Sequence, residues 1–214
     1  EIACCSANDG TSEKLSEETS IVRFDSIEAM LESKPDLLAL GCKPQQLAQL
    51  PVSISESTEG TLILSIMAGI TLERLDSVFP KARNVVRSMP NTPGQIGAGA
   101  TGFLFARNAT EEDRKLILEI LSSLGFAREV GEERDVDRVT AISGSGPAYV
   151  FEFACALEEA GKDIGLEPDL AKELAARTVI GAAKLMEQSG LHPEDLRNRV
   201  TSPNGTTQAA LESF

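Results

Sequence analysis

Three short segments of this 214-residue chain carry the residue types from which a binding site could be built. The first is the apolar run Leu38-Ala-Leu-Gly-Cys42, which stops abruptly at Lys43-Pro44. At the carboxyl end of a buried parallel strand, backbone groups face the ligand crevice of an open α/β sheet. The second segment, Arg87-Ser-Met-Pro-Asn-Thr-Pro-Gly94, uses two prolines to fix a loop that presents Asn91 and Thr92. The third, Val200-Thr-Ser-Pro-Asn-Gly-Thr-Thr207, opens the final helix, and its hydroxyls and free backbone N–H groups suit a carboxylate. Each segment also has a plain structural alternative: a strand exit, a rigid connector and an ordinary N-cap. Ser143-Gly-Ser-Gly-Pro147 has the look of a phosphate loop. Pro147 at a first helical position, with Ser145 as its cap, favours a structural turn there instead.

Acid–base chemistry has little to draw on. The single histidine, His192, precedes Pro193 in Gly190-Leu-His-Pro-Glu194 and reads as a surface residue at a helix cap. Cys4, Cys5, Cys42 and Cys155 show no metal-ligand spacing, so they are expected to be reduced thiols and no metal site is expected. What remains is a chemistry of holding an anion and orienting a reactant.

These segments must be positioned by regular elements, and the pattern of those elements changes along the chain. Short β-type runs alternate with helical ones over the first 130 or so residues: strands at 21–24, 37–41, 62–66, 84–87, 101–105 and 127–130. Ser26 is placed to cap a helix running through Ser33, and Thr71 to cap another, while Pro44–Leu50 reads as a short helix starting on proline. Thr110-Glu-Glu-Asp113 opens an amphipathic helix with Ile117, Ile120, Leu121 and Leu124 on its apolar stripe and Gly125 as its C′ glycine. Alternation of this kind predicts a parallel α/β layer. From about Asp135 the strand signals vanish, and helices are expected over 135–142, 147–165, 168–189, 193–200 and 206–214. The stretch 154–183 is rich in alanine and glycine, which let helix backbones approach closely and suggest a second copy of the chain as partner.

Composition sets outer limits. Apolar residues make up 42% and charged residues 25%, as in globular proteins, and no run reaches the roughly 18 apolar residues of a membrane helix. A net charge of −13 argues against nucleic-acid partners and against anionic membranes. Residues 1–10 show no signal-peptide pattern, so a cytoplasmic location is expected. The strand–Gly-x-Gly-x-x-Gly–helix unit that normally opens a dinucleotide-binding fold is not found. Instead Ile2-Ala-Cys-Cys5 and Ser6-Ala-Asn-Asp9 resemble the end of a second strand and its turn.

Taken together, the motifs resemble those of one family, the pyrroline-5-carboxylate reductases. The resemblance rests on Leu-Ser-Ile-Met-Ala-Gly (64–69), Val-Val-Arg-Ser-Met-Pro-Asn-Thr-Pro (85–93), Ala-Ile-Ser-Gly-Ser-Gly-Pro-Ala-Tyr-Val (141–150) and Val-Thr-Ser-Pro-Asn-Gly-Thr-Thr (200–207). It runs from the Lys43-Pro44-Gln45 segment to the last residue. It implies a Rossmann-like parallel-sheet domain over 1–134, lacking its first βα unit, and an all-helical dimerisation and substrate domain over 135–214.

The resemblance also implies an activity and a site. The activity is NADPH- or NADH-dependent reduction of 1-pyrroline-5-carboxylate to L-proline, the last step of proline biosynthesis, in a homodimer or a decamer built of dimers. Cys42, Lys43 and Pro44 correspond to strand-end contacts with the nicotinamide nucleotide, and Ala68 and Gly69 to the segment beside it. Ser26 stands where the family often has asparagine on the adenosine side, and Ser6 with Asn8 lies in the turn that would meet a 2′-phosphate. Asn91 borders both nicotinamide and substrate. Ser202, Gly205, Thr206 and Thr207 hold the substrate carboxylate, with Thr207 also exchanging a hydrogen bond with the ring nitrogen. Two alternatives stay open: a reductase of another small carboxylated imine or keto acid, and a catalytically silent oligomeric homologue. Departures from the family pattern are Gly41-Cys42 for Ala-Val and Asn204 for glycine, the latter tolerable because asparagine accepts the left-handed region.

Overall fold

A computed structural model describes residues 2–6 and 9–213. The chain divides into two compact units, Glu1–Pro147 and Ala148–Phe214.

In the first unit, β1 (Ala3–Cys4) and β2 (Val22–Arg23) pair in parallel around α1 (Thr11–Thr19), and α2 (Ile27–Leu31) follows. A separate five-stranded sheet has the order β3 (Leu37–Leu40), β4 (Leu62–Ser65), β5 (Asn84–Met89), β6 (Gly99–Phe105), β7 (Gly125–Glu129). Between its strands lie α3 (Ile54–Ser57), α4 (Leu72–Val78) and α5 (Glu111–Ser122), with short 3₁₀ turns at Pro44–Gln49 and Thr92–Ile96. The β4 sequence Leu62-Ile-Leu-Ser65 is buried throughout because both of its faces are covered. On one side Ile63 and Val85 pack with Leu38, Leu47, Leu75 and Phe79. On the other, Leu62, Leu64 and Val86 pack with Phe103, Ile117 and Leu121.

The sheet is not uniformly parallel as the alternation suggested: β5 and β6 are antiparallel. The cause is length. Residues 90–98 are too few for a parallel crossover, which takes about a dozen residues or more, so the chain turns straight back. The β6–α5–β7 connection then restores a parallel pair. Thr110 caps α5 as expected, its Oγ1 accepting from Asp113 N at 3.1 Å. Gly125, however, is not a helix-terminating residue; it opens β7.

At the end of this unit, α6 (Glu133–Val139) runs into a π-helical turn, Thr140–Gly144, and then into α7 (Gly146–Asp163). Ser145 N donates to Thr140 O at 2.8 Å, the five-residue spacing of a π-turn. Within Ser143-Gly-Ser-Gly-Pro147, Ser145 is therefore not the extended cap of a new helix: it is helical at φ −86° and joins the π-turn to α7.

Helices α7, α8 (Pro168–Ser189), α9 (Pro193–Arg199) and α10 (Thr206–Leu211) supply the second unit, with the division falling inside α7. Gly161 lets α7 and α8 close up: a Cβ there would sit 3.1 Å from the Cβ of buried Ala171. His192 is an exposed N-cap, as expected, its Nδ1 accepting from Glu194 N at 3.3 Å.

Candidate functional site

Three parallel strands end along one edge of the five-stranded sheet. The register aligns Leu40 with Ser65 and Ser65 with Arg87, so Gly41–Pro44, Ile66–Gly69 and the end of β5 emerge side by side. Side chains tie these exits together. Ser88 Oγ donates to Ser65 O at 2.9 Å, and Met67 N donates to Ser65 Oγ at 3.2 Å. The Cys42 thiol donates to the Met67 thioether at 3.7 Å, and burial pushes that thiol up from its ordinary pKa. Cys42 is therefore a neutral, half-buried wall residue and a poor nucleophile.

The outer surface of this edge carries one exposed cation and an open backbone turn. Lys43 is exposed, and its backbone N–H is satisfied by Gln46 Oε1 at 2.8 Å. Its ammonium makes no ion pair among the described residues. Pro44 starts the 3₁₀ turn and denies the chain a continuing strand. Ala68 and Gly69 form an exposed turn in which Gly69 takes φ 73° and nothing lies within 4 Å of where a Cβ would be. Together they leave a backbone surface that a nucleotide could approach closely.

Asn91 lies at the same edge, with its amide engaged within the protein. Nδ2 donates to Ser143 O at 2.9 Å, and Oδ1 accepts from Ala100 N at 2.9 Å. The loop it starts is compact, with Gly94 N bonded to Asn91 O at 3.0 Å.

The turn after β1 forms a second cluster. Ser6 Oγ lies 2.9 Å from Ser12 Oγ and 3.1 Å from Asp9 Oδ1, and the Thr11 N–H holds the Asp9 carboxyl below its usual range. Asn8 lies outside the described residues. Sequence distance hid one member of this cluster. Parallel pairing sets Cys4 opposite Arg23, whose Nε donates to Ser12 Oγ at 3.3 Å, although no arginine lies in the turn itself. Its guanidinium is already paired with Glu13 and Asp25. Ser26 caps α2, its Oγ accepting from Ala29 N at 3.1 Å and keeping its own proton to donate.

In the second unit, Ser202–Thr207 runs into α10. Asn204 sits at φ 58°, as the tolerance of asparagine predicted, and Gly205 is the N-cap in extended backbone. Asn204 N is held by Gln208 Oε1 at 2.8 Å. Among the described residues, the hydroxyls of Ser202, Thr206 and Thr207 make no hydrogen bond, so three donors remain available beside the first amides of the helix.

The first unit thus has the architecture of a dinucleotide-binding sheet and the second that of a helical domain, the class of two-part reductases. Comparison identifies the family. A family model described as pyrroline-5-carboxylate reductase dimerisation matches residues 133–214. Pyrroline-5-carboxylate reductase 2 of Bacillus subtilis is 40% identical over 179 residues, which are 84% of this chain and 64% of that protein. The solved pyrroline-5-carboxylate reductase of Coxiella burnetii superimposes with a TM-score of 0.89 at 30% identity, covering 99% of this chain and 79% of that one. The Plasmodium falciparum enzyme, solved with NADP bound, gives 0.83 at 28% identity, covering 99% and 77%. The chain belongs to the pyrroline-5-carboxylate reductase family. It spans just under two thirds of the length of the Bacillus protein.

Proposed function

We propose that this chain is the greater part of an enzyme that reduces 1-pyrroline-5-carboxylate to L-proline with NADPH or NADH. The observation that carries the reading is the strand-end edge, where free Lys43, left-handed Gly69 and the Cys42–Met67 wall lie together in a chain of this family. Cys42, Lys43, Pro44, Ala68 and Gly69 would hold the nicotinamide nucleotide there, with Ser6 and Ser26 on its adenosine side. When bound, the reduced cofactor supplies the hydride.

The protein side of the chemistry is modest. The substrate's imine carbon is already electrophilic, so holding it about 3–3.5 Å from the hydride donor accounts for much of the acceleration. Ser202, Gly205, Thr206 and Thr207 would receive the carboxylate through hydroxyls and helix-start amides. Thr207 would also hydrogen-bond the ring nitrogen. Neither task needs a titrating side chain, consistent with the one histidine being an exposed cap.

Self-association is part of the reading. Tyr149, Phe151, Leu174, Ile180 and Leu185 on α7 and α8 are large, apolar and exposed in one protomer, which a monomer rarely sustains. A homodimer through these helices is the minimal unit, and a decamer of dimers would be seen in the same solution-mass measurement. No helix among the described residues is long and apolar enough to cross a membrane. A cytoplasmic location is proposed on the parallel with the family's biosynthetic reaction.

The test uses the natural gene product and follows NADPH and NADH oxidation with 1-pyrroline-5-carboxylate, piperideine-2-carboxylate and small keto acids. The highest kcat/KM is expected for 1-pyrroline-5-carboxylate. A higher value for another substrate would move the assignment within the reductases, and absence of dinucleotide binding would favour the silent homologue.

A further inference from the structure

The position of Asn91 separates two roles. Each end of its amide is engaged within the protein, Nδ2 with Ser143 O and Oδ1 with Ala100 N, so the amide is fixed from two sides as a structural tie would be. These bonds connect three things: the carboxyl end of β5, the first residues of β6 and the π-turn Thr140–Gly144. The π-turn rests on the same strand end at a second point. A Cβ on Gly144 would come within 3.1 Å of Met89 Cε and 3.4 Å of Thr140 Cγ2. Met89 and Asn91 thus seat the π-turn together, and neither contact depends on regular helix pairing.

From this we infer that Asn91 is a positioning residue, acting on the dinucleotide site through the seating of the π-turn against the end of β5. The inference rests on the proposed reading of the strand-end edge as a dinucleotide site. A π-turn is a local departure from the α-helical repeat, and a side-chain donor reaching one of its carbonyls from another element ties that turn to the element. Asn91 Nδ2 is that donor for Ser143. Without it, the wall flanking the β5 exit can shift while the sheet behind it stays intact.

The experiment uses the natural gene product, NADP⁺ binding measured by calorimetry, and amide hydrogen exchange without ligand. Asn91→Ala is expected to weaken NADP⁺ binding roughly tenfold, the size of one net hydrogen bond with its buried partner left unmade. It should also speed exchange at Ala100 and Ser145 in the unliganded protein. Gly144→Ala, which leaves Asn91 untouched, should reproduce both effects by pushing the π-turn off Met89. The double variant should bind only slightly worse than the weaker single one, since both changes undo one seating. Asn91→Asp keeps the acceptor for Ala100 N but faces Ser143 O with a carboxylate. It should bind poorly at neutral pH and recover on acidification, when the protonated acid can donate again.

Additive losses in the double variant, or lost binding with unchanged exchange at Ala100, would mean direct ligand contact and overturn the inference. So would an Asn91→Ala protein that binds like wild type. If Asn91→Ala does not fold, Gly144→Ala and Asn91→Asp decide between the two roles without it. A wild type that binds no dinucleotide would instead remove the functional reading on which the inference stands.

Discussion

Gly125 enters β7 so close to Gly99 on β6 that a Cβ on Gly125 would overlap the Gly99 carbonyl oxygen and lie 2.5 Å from the Gly99 nitrogen. The residue also takes φ 130°, outside the range of L side chains. Gly99 in turn is pressed between Leu124 O and Gly94, at 2.7 and 2.9 Å from where its own Cβ would be. The loop carrying Asn91 is thus anchored from behind by glycine backbone packed on glycine backbone. Gly125→Ala is expected to cost about 2–4 kcal/mol, combining strain with displacement of backbone. Chemical denaturation measures it, and a loss within about 0.5 kcal/mol, the range of ordinary surface substitutions, would contradict the close approach.

Arg87 makes a second prediction, of asymmetry. Its side chain is only 3% exposed, and it reaches Glu133 at 3.0 Å and Asp137 at 2.5 Å on α6. Glu133 Oε1 also accepts from Leu72 N at 2.6 Å, so one carboxylate serves both β5 and the start of α4. Neutralising both acids as Glu133→Gln with Asp137→Asn leaves a buried guanidinium uncompensated, which costs about 3–5 kcal/mol. Arg87→Met leaves behind two carboxylates that water can reach, and the loss should be clearly smaller. Equal losses in urea denaturation would show that the arginine is not buried in solution.

How much of this was legible in the sequence follows from which forces leave a local trace. The β3 and β4 strands were readable because Leu37–Leu40 and Leu62–Leu64 are continuous apolar runs, of which the second is buried on both faces of the sheet. Caps at Ser26, Thr71 and Thr110 were readable because the hydroxyl and the amide it receives lie three residues apart. Helix α1 left no such trace. Leu15 is its one apolar residue, and it is held instead by Ser12 and by Ser16 Oγ donating to Ile21 O at 2.8 Å. At the candidate site, Lys43, Gly69 and Thr207 were singled out through the family resemblance of the motifs that hold them. Arg23 beside Ser12, and Asn91 beside Ser143, depend on strand pairing and on a π-turn, which no local pattern encodes.

The pH dependence of stability has a definite sign. A hydrogen bond from Arg138, at 2.6 Å, holds the Asp135 carboxyl below its usual range, and the Thr11 N–H does the same for Asp9. A carboxylate whose pKa is depressed by folding contributes stability that is present above its unfolded value, about 3.9, and is lost as pH falls through the folded value. The melting temperature should therefore fall on acidification below about pH 4, and less so in Asp135→Asn. Because these groups lie at the surface, added salt should shrink the difference between the two proteins. A variant with the wild-type acid profile at low salt would remove Asp135 from the account.

Thr207 and His192 offer a paired test of the chemistry, since each change should leave a mark where the other does not. The Thr207 hydroxyl makes no bond within the protein among the described residues, so removing it costs the fold little. In the proposed site it bonds the substrate. Thr207→Ala should then lower kcat/KM by about 10- to 100-fold, the value of one hydrogen bond to a charged group, with its melting temperature nearly unchanged. Thr207→Ser keeps the hydroxyl and should recover most of the activity. His192 has the opposite profile. Its Nδ1 caps α9 through Glu194 N at 3.3 Å, so His192→Ala should cost a few tenths to about 1 kcal/mol of stability and leave kcat/KM near wild type. Steady-state kinetics and thermal melts on both variants decide the matter. A large kinetic loss from the histidine change, or none from the threonine change, would overturn a mechanism built on positioning by hydroxyls and amides.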